Sequence, residues 1–181
     1  MKKNMCFTFI LLYFCSVDGA ISKIYSSMRH DLRSVLLGLI EQERTAILAA
    51  QFLITDDAFV HAIRSAVDRG VSVEMIVDKA CFSKWGKGQA LQQVGVLLHV
   101  YDAPDMGIMH KKAWVFAENV SVHPDKPLKI VAHGSYNPTL NAFKKNLEML
   151  HVLSRPKSVV NECEDCILAM RDAIADGWTR S

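Results

Sequence analysis

An α/β fold, a mixed β-sheet flanked by helices on both faces, is what the sequence predicts on three observations. Apolar runs of strand length alternate with segments whose apolar residues recur at helical spacing. Later in the chain two strands follow one another across a turn instead of a helix, the mark of antiparallel pairing. The chain has 181 residues, half apolar and 22% charged, which suits one globular domain and leaves little room for two.

The first twenty residues stand apart. Lys2 and Lys3 precede an apolar run from Met5 to Val17, and Gly19 and Ala20 follow it. A basic start, an apolar stretch too short for the ~20 residues of a membrane-spanning helix, and small residues after it read as a signal peptide over residues 1–20. Residues 21–181 are then the single domain, exported to the periplasm or beyond, with an uncleaved membrane anchor or an N-terminal strand as the alternative reading of the segment. Cys6 and Cys15 fall within the leader; Cys81, Cys163 and Cys166 remain. Cys163 and Cys166 share a helix face at i and i+3, and one CxxC without a nearby His is weak evidence for zinc.

Within the domain, Leu32, Val35, Leu36, Leu39 and Ile40 set a helix in residues 28–43. Thr45 to Ile54 is almost continuously apolar, as in a strand buried on both faces. Thr55-Asp56-Asp57 offers a cap for a helix to about Arg69, which Gly70 ends. Val71–Val77 is a second strand, Lys87–Val94 a short helix closed by Gly95, and Val96–Tyr101 a third strand. A loop with Pro104 and Gly107 leads to a strand from Met109 to Phe116, then a long turn and a strand from Leu128 to His133. A short helix near Thr139–Lys145, a strand over Leu147–Leu153 and a helix from Pro156 to about Trp178 complete the chain.

Chemistry concentrates in the second half. His110 and Lys112 are two apart on a predicted strand and so share a face. An imidazole can attack phosphorus or move a proton, and an ammonium beside it neutralises a nonbridging oxygen. Downstream, Gly134 allows a backbone to approach an anion closely, and Ser135 and Asn137 add hydrogen-bond donors. Glu148 opens the next strand, where a carboxylate could accept a ring N–H of His110 and fix its tautomer.

His110-x-Lys112, then Gly134-Ser135-Tyr136-Asn137-Pro138-Thr139, then Asn146-x-Glu148 resembles the single-motif branch of the phospholipase D superfamily. Residues 45–55 and 58–78 resemble that family's opening strand, helix and second strand, so the likeness runs from about residue 25 to 178. It implies a phospholipase D-like α/β sandwich and a phosphodiesterase that uses neither metal nor cofactor. It also implies a homodimer sharing one active site across a two-fold axis, since the family's site needs two such motifs. His110 would be the nucleophile in one subunit and the general acid and base in the other. Lys112 and Asn137 would hold phosphoryl oxygens, Gly134 and Ser135 would bind substrate, and Glu148 would orient His110.

Two departures accompany the likeness. The family motif places an Asp five positions after the Lys, where this chain has Ala117, and the interval from Lys112 to Gly134 is about ten residues longer than usual. A lengthened hairpin with Pro124 and Pro127 accounts for the second. The net charge of only +2 does not by itself argue for nucleic acid. Lys79, Lys84, Lys87, Lys111, Lys144 and Lys145 flank the predicted site, and a nuclease acting on DNA or RNA is the first expectation. A phospholipase D on phosphatidyl lipids is the alternative, its apolar rim drawn from residues 104–109, and a non-catalytic binding module is a third. His133, beside Gly134, is expected to be structural, as are His30, His61, His99, His123 and His151.

Overall fold

A computed structural model describes residues 20–103 and 107–177. The predicted leader, with Cys6 and Cys15, lies outside the described residues, as do Pro104, Met106 and Trp178. Seven strands form one sheet in the order β1-β7-β6-β5-β2-β3-β4. The strands are β1 (Ser22–Ser26), β2 (Ala46–Gln51), β3 (Ser72–Asp78), β4 (Leu97–Tyr101), β5 (Lys112–Asn119), β6 (Leu128–Gly134) and β7 (Met149–Leu153). Helices α1 (Leu32–Glu41), α2 (Asp57–Asp68), α3 (Gly88–Gln93), α4 (Leu140–Lys144) and α5 (Lys157–Ala175) connect or follow them. β2, β3 and β4 are parallel, and every other pairing is antiparallel, so the sheet is mixed as expected.

Pattern explains the layers. β2 lies between β3 and β5, buried on both sides: Ile47 and Ala49 join the core beneath α1 and α2, and Ala50 joins the core beneath α5. Leu36 and Ile40 of α1, with Phe59 and Ile63 of α2, are fully buried on the first face. Each such side chain contributes about 1.5–3 kcal/mol when removed from water. Val160 and Ile167 of α5 cover the second face over Val115, Val131 and Leu153. Asp56 caps α2 by accepting the N–H of Ala58 at 3.0 Å, and it also takes a two-point bond from Arg33 of α1 at 2.6 and 3.2 Å. The Asp56-Asp57 pair is therefore the helix cap that the sequence suggested.

The structure corrects the reading at two places. β1 is a strand that the sequence pattern did not reveal, because SKIYS is largely polar. Its signal is the buried Ile21 and Tyr25 flanking exposed Ser22 and Ile24. The strand carrying the motif begins at Lys112, not Met109, so His110 sits on the approach to β5.

Candidate active site

The motif lies at the sheet end where β2 and β3 finish and β5 and β7 start. Three hydrogen bonds fix the approach to His110. Met109 N–H donates to Asp78 Oδ2 at 2.9 Å, Phe52 N–H donates to Lys111 O at 3.0 Å, and Lys112 Nζ donates to His110 O at 3.0 Å. Asp78 is nearly fully buried and also accepts the N–H of Ala80 at 2.9 Å. It is a positioning residue that sequence reasoning missed; a strand-final Asp before a Lys reads only as a cap.

His110 is exposed and its ring makes no hydrogen bond among the described residues; it leans on Phe52 with ring centroids 5.1 Å apart. Lys112 is the opposite case, 8% exposed, with its ammonium 5.4 Å from the centre of the Phe52 ring. Burial pulls the Lys112 amine below the ordinary lysine range, while the Glu148 carboxylate pulls it back up. Together these form an open imidazole beside a desolvated cation. That suits capture of an anionic group, because charge interactions strengthen where water is excluded.

Gly134, Ser135, Asn137 and Glu148 are brought to the same end. A Cβ on Gly134 would stand 2.2 Å from Met149 O, so only glycine permits this approach of β6 to β7. Ser135 Oγ donates to Glu148 Oε2 and accepts the N–H of Met149 at 3.0 Å. Asn146 Nδ2 donates to Glu148 Oε1 at 3.0 Å, and Glu148 N–H donates to Ser27 Oγ at 2.9 Å. Within one chain, then, the expected bond from Glu148 to His110 is not made: both carboxylate oxygens already have donors. Ser27, at the end of the unforeseen β1, is a second residue that the sequence did not flag. The buried Oδ1 of Asn137 has no hydrogen-bond partner among the described residues. A groove of about 330 Å³ lined by Ser27, Arg29, His30, Tyr136 and Phe143 adjoins this network through Ser27.

Other candidates separate clearly. His133 and His151 are register partners on β6 and β7, on the face opposite Lys112. Lys79 is paired with Asp102 at 2.8 Å and Lys87 with Asp57 at 2.6 Å, whereas Lys111, Lys144 and Lys145 are exposed and form no ion pair among the described residues. Cys81, Cys163 and Cys166 are free thiols, and burial pushes Cys81 up to about 11. Ala117 lies five residues beyond Lys112, ~17 Å away along an extended strand. Beside it the buried Glu43 carboxylate accepts the N–H groups of Thr45, Ala46 and Glu118 at 2.9, 3.1 and 2.9 Å. The missing Asp and the long β5–β6 connection are thus both features of the distal end.

The family described as "Cardiolipin synthase, PLD-like domain" matches residues 36–170. The chain belongs to this family. Its fold is that of the phospholipase D superfamily, as two solved structures illustrate. Nuc from Salmonella typhimurium, a phospholipase D family member, is 19% identical with a TM-score of 0.66 over 83% of this chain and 93% of its own. NucT from Helicobacter pylori is 22% identical with a TM-score of 0.69, covering 84% and 96%. Phosphatidylserine synthase from Haemophilus influenzae is more distant, at 11% identity and a TM-score of 0.56 over 80% of this chain and 38% of its own. No curated protein sequence matches the chain.

Proposed function

We propose that the chain is a metal-independent nuclease that hydrolyses phosphodiester bonds through a phosphohistidine intermediate, as a homodimer with one shared site. The observation that carries this reading is the exposed, uncommitted His110 imidazole beside the buried Lys112 ammonium. One imidazole cannot be nucleophile and general acid in the same step, so the arrangement is half a site and a second copy supplies the other half. An unprotonated ring nitrogen of His110 in one copy attacks phosphorus. The N–P bond forms as the P–O bond to the leaving alcohol breaks, and protonated His110 of the other copy gives its proton to that oxygen. The second imidazole then takes a proton from water, whose oxygen attacks phosphorus and breaks the N–P bond. Lys112 and the free amide of Asn137 hold the nonbridging oxygens. Glu148, braced by Ser135 and Asn146, maintains negative charge beside Lys112.

Exposed Lys111, Lys144 and Lys145, without an ion pair among the described residues, support a polyanionic substrate. A phospholipid substrate is the second reading. It is favoured by Met28, Trp85, Ile108, Phe143, Leu147 and Met149, all exposed at this end of the sheet. The test is incubation in EDTA with plasmid, single-stranded RNA or phosphatidylcholine vesicles, beside His110→Ala. Cleavage of nucleic acid that the variant loses supports the nuclease; choline release supports the lipid reading. Turnover of none, or activity abolished by EDTA, overturns the mechanism. The apolar N-terminal run supports export, which N-terminal sequencing of the protein recovered from outside the cytoplasm would check.

A further inference from the structure

β2 ends on the one polar residue of an otherwise apolar strand. Gln51 follows Ala46-Ile47-Leu48-Ala49-Ala50 and is completely buried. Both ends of its carboxamide, Oε1 and Nε2, lack a hydrogen-bond partner among the described residues. A buried amide left unpaired at both ends costs stability, and a leucine or methionine would fill similar space without that cost. Packing alone therefore does not account for the residue. Its position does: Gln51 is the register partner of Lys112 across the antiparallel β2–β5 pair. Directly paired residues project to the same face, so the carboxamide and the Lys112 side chain are neighbours on the face that carries Ala49 and Trp114.

Donors and acceptors here are complementary but uncombined. Lys112 Nζ gives a proton to His110 O at 3.0 Å, and an ammonium carries three. Drawn toward an anion, Nζ would leave that carbonyl without its donor. We propose that Gln51 is a positioning residue for the phosphoryl-binding Lys112. When a phosphate group binds, Gln51 Oε1 accepts from the Lys112 ammonium, and Nε2 donates to His110 O in its place. The carboxamide thereby holds the cation against the anion and keeps the chain fixed just before β5, where the His110 imidazole is mounted.

An amide suits this place better than a carboxylate. Glu148, at the start of β7, already supplies negative charge on the far side of β5 from β2. A neutral carbonyl on the β2 side accepts a hydrogen bond without cancelling the charge that the phosphoryl oxygens need. This role rests on the reading of His110 and Lys112 as a phosphoryl site, and Gln51 acts in it only through Lys112.

The test is calorimetric titration of the full chain with inorganic phosphate. Gln51→Leu is expected to bind phosphate roughly tenfold more weakly than wild type, the scale of one lost hydrogen bond to a charged group, with Tm unchanged or higher. In a Lys112→Met background the same change is expected to cost no further affinity, because the partner of Gln51 is already gone. A merely structural amide gives the reverse pattern, a lowered Tm with unaltered affinity, and that result overturns the proposal. Equal loss of affinity in both backgrounds overturns it as well. Should Gln51→Leu fail to fold, the side-chain amide resonances of Gln51 in the unmutated chain decide: they must move on adding phosphate, and fixed resonances overturn the proposal. If wild type neither binds phosphate nor cleaves a diester, the phosphodiesterase reading fails and this role with it. If wild type does both and Gln51→Leu matches it, the role of Gln51 alone falls.

Discussion

Lys112 is held where water cannot solvate it, which serves an anion at the expense of the fold. Replacing it with methionine, similar in length and uncharged, should leave stability unchanged or raise it in urea unfolding, since a desolvated charge is removed. The same change should lower kcat for diester cleavage by about 10²–10³-fold, the usual cost of losing one oxyanion-binding group. Gly134→Ala should behave differently. Its Cβ meets the Met149 carbonyl, so β6 and β7 must part, costing about 1–3 kcal/mol and displacing Ser135 from Glu148. Activity and Tm should then fall together. Ala117→Asp should restore the family's letter without changing turnover. It adds a carboxylate beside buried Glu43, far from His110, and thermal unfolding should show a loss of about 1–2 kcal/mol with kcat unchanged.

At the level of elements, the Arg33–Asp56 pair joins α1 to the start of α2 and gives the fold a pH dependence. Burial would raise the Asp56 carboxyl, but the Arg33 bond and the Ala58 N–H outweigh it and hold it below the usual carboxylate range. A depressed folded pKa means stability that is present above the unfolded value of about 3.9 and is lost as pH falls through the folded value. Asp56→Asn should therefore cost about 2 kcal/mol in urea midpoints at pH 7, with the gap to wild type narrowing as pH falls below the usual carboxylate range. The sequence made α2 and its cap legible because cap, amphipathic stripe and terminal Gly70 all agree. β2 was equally plain, since a strand covered on both faces has no polar alternation to obscure it. β1 was hidden because an edge strand with one exposed face satisfies its pattern with serines. The positions of His110, Lys112, Asn137 and Glu148 at one sheet end were readable from motif order. The bonds from Asp78 and Ser27 were not, since they join residues that only the folded sheet brings together.

For the whole molecule, the half-site proposed on each chain would make activity a property of pairs. If hydrolysis needs both imidazoles, mixing wild type with His110→Ala under exchange should reduce activity as the square of the wild-type fraction. A linear decline, or a monomer by light scattering at working concentration, would contradict the shared site. Distal features should be dispensable to the chemistry. Shortening the β5–β6 connection within residues 120–127 should change Tm without altering kcat, because the loop lies at the opposite end of β5 from His110.

The pairing of β1 with β7 also sets an order of events in time. Ser27 and Glu148 are 121 residues apart, yet each donates to or accepts from the other's neighbourhood at the rim of the site. Contacts this distant in sequence close late, after the local α/β units have formed. A chain synthesised from its N-terminus exposes His110 and Lys112 well before Glu148 and β7 have been made. The reactive imidazole thus exists for a period without the carboxylate network that completes its surroundings. A chain truncated before Glu148 should accordingly show no diester cleavage, which an activity assay of the shortened chain would check.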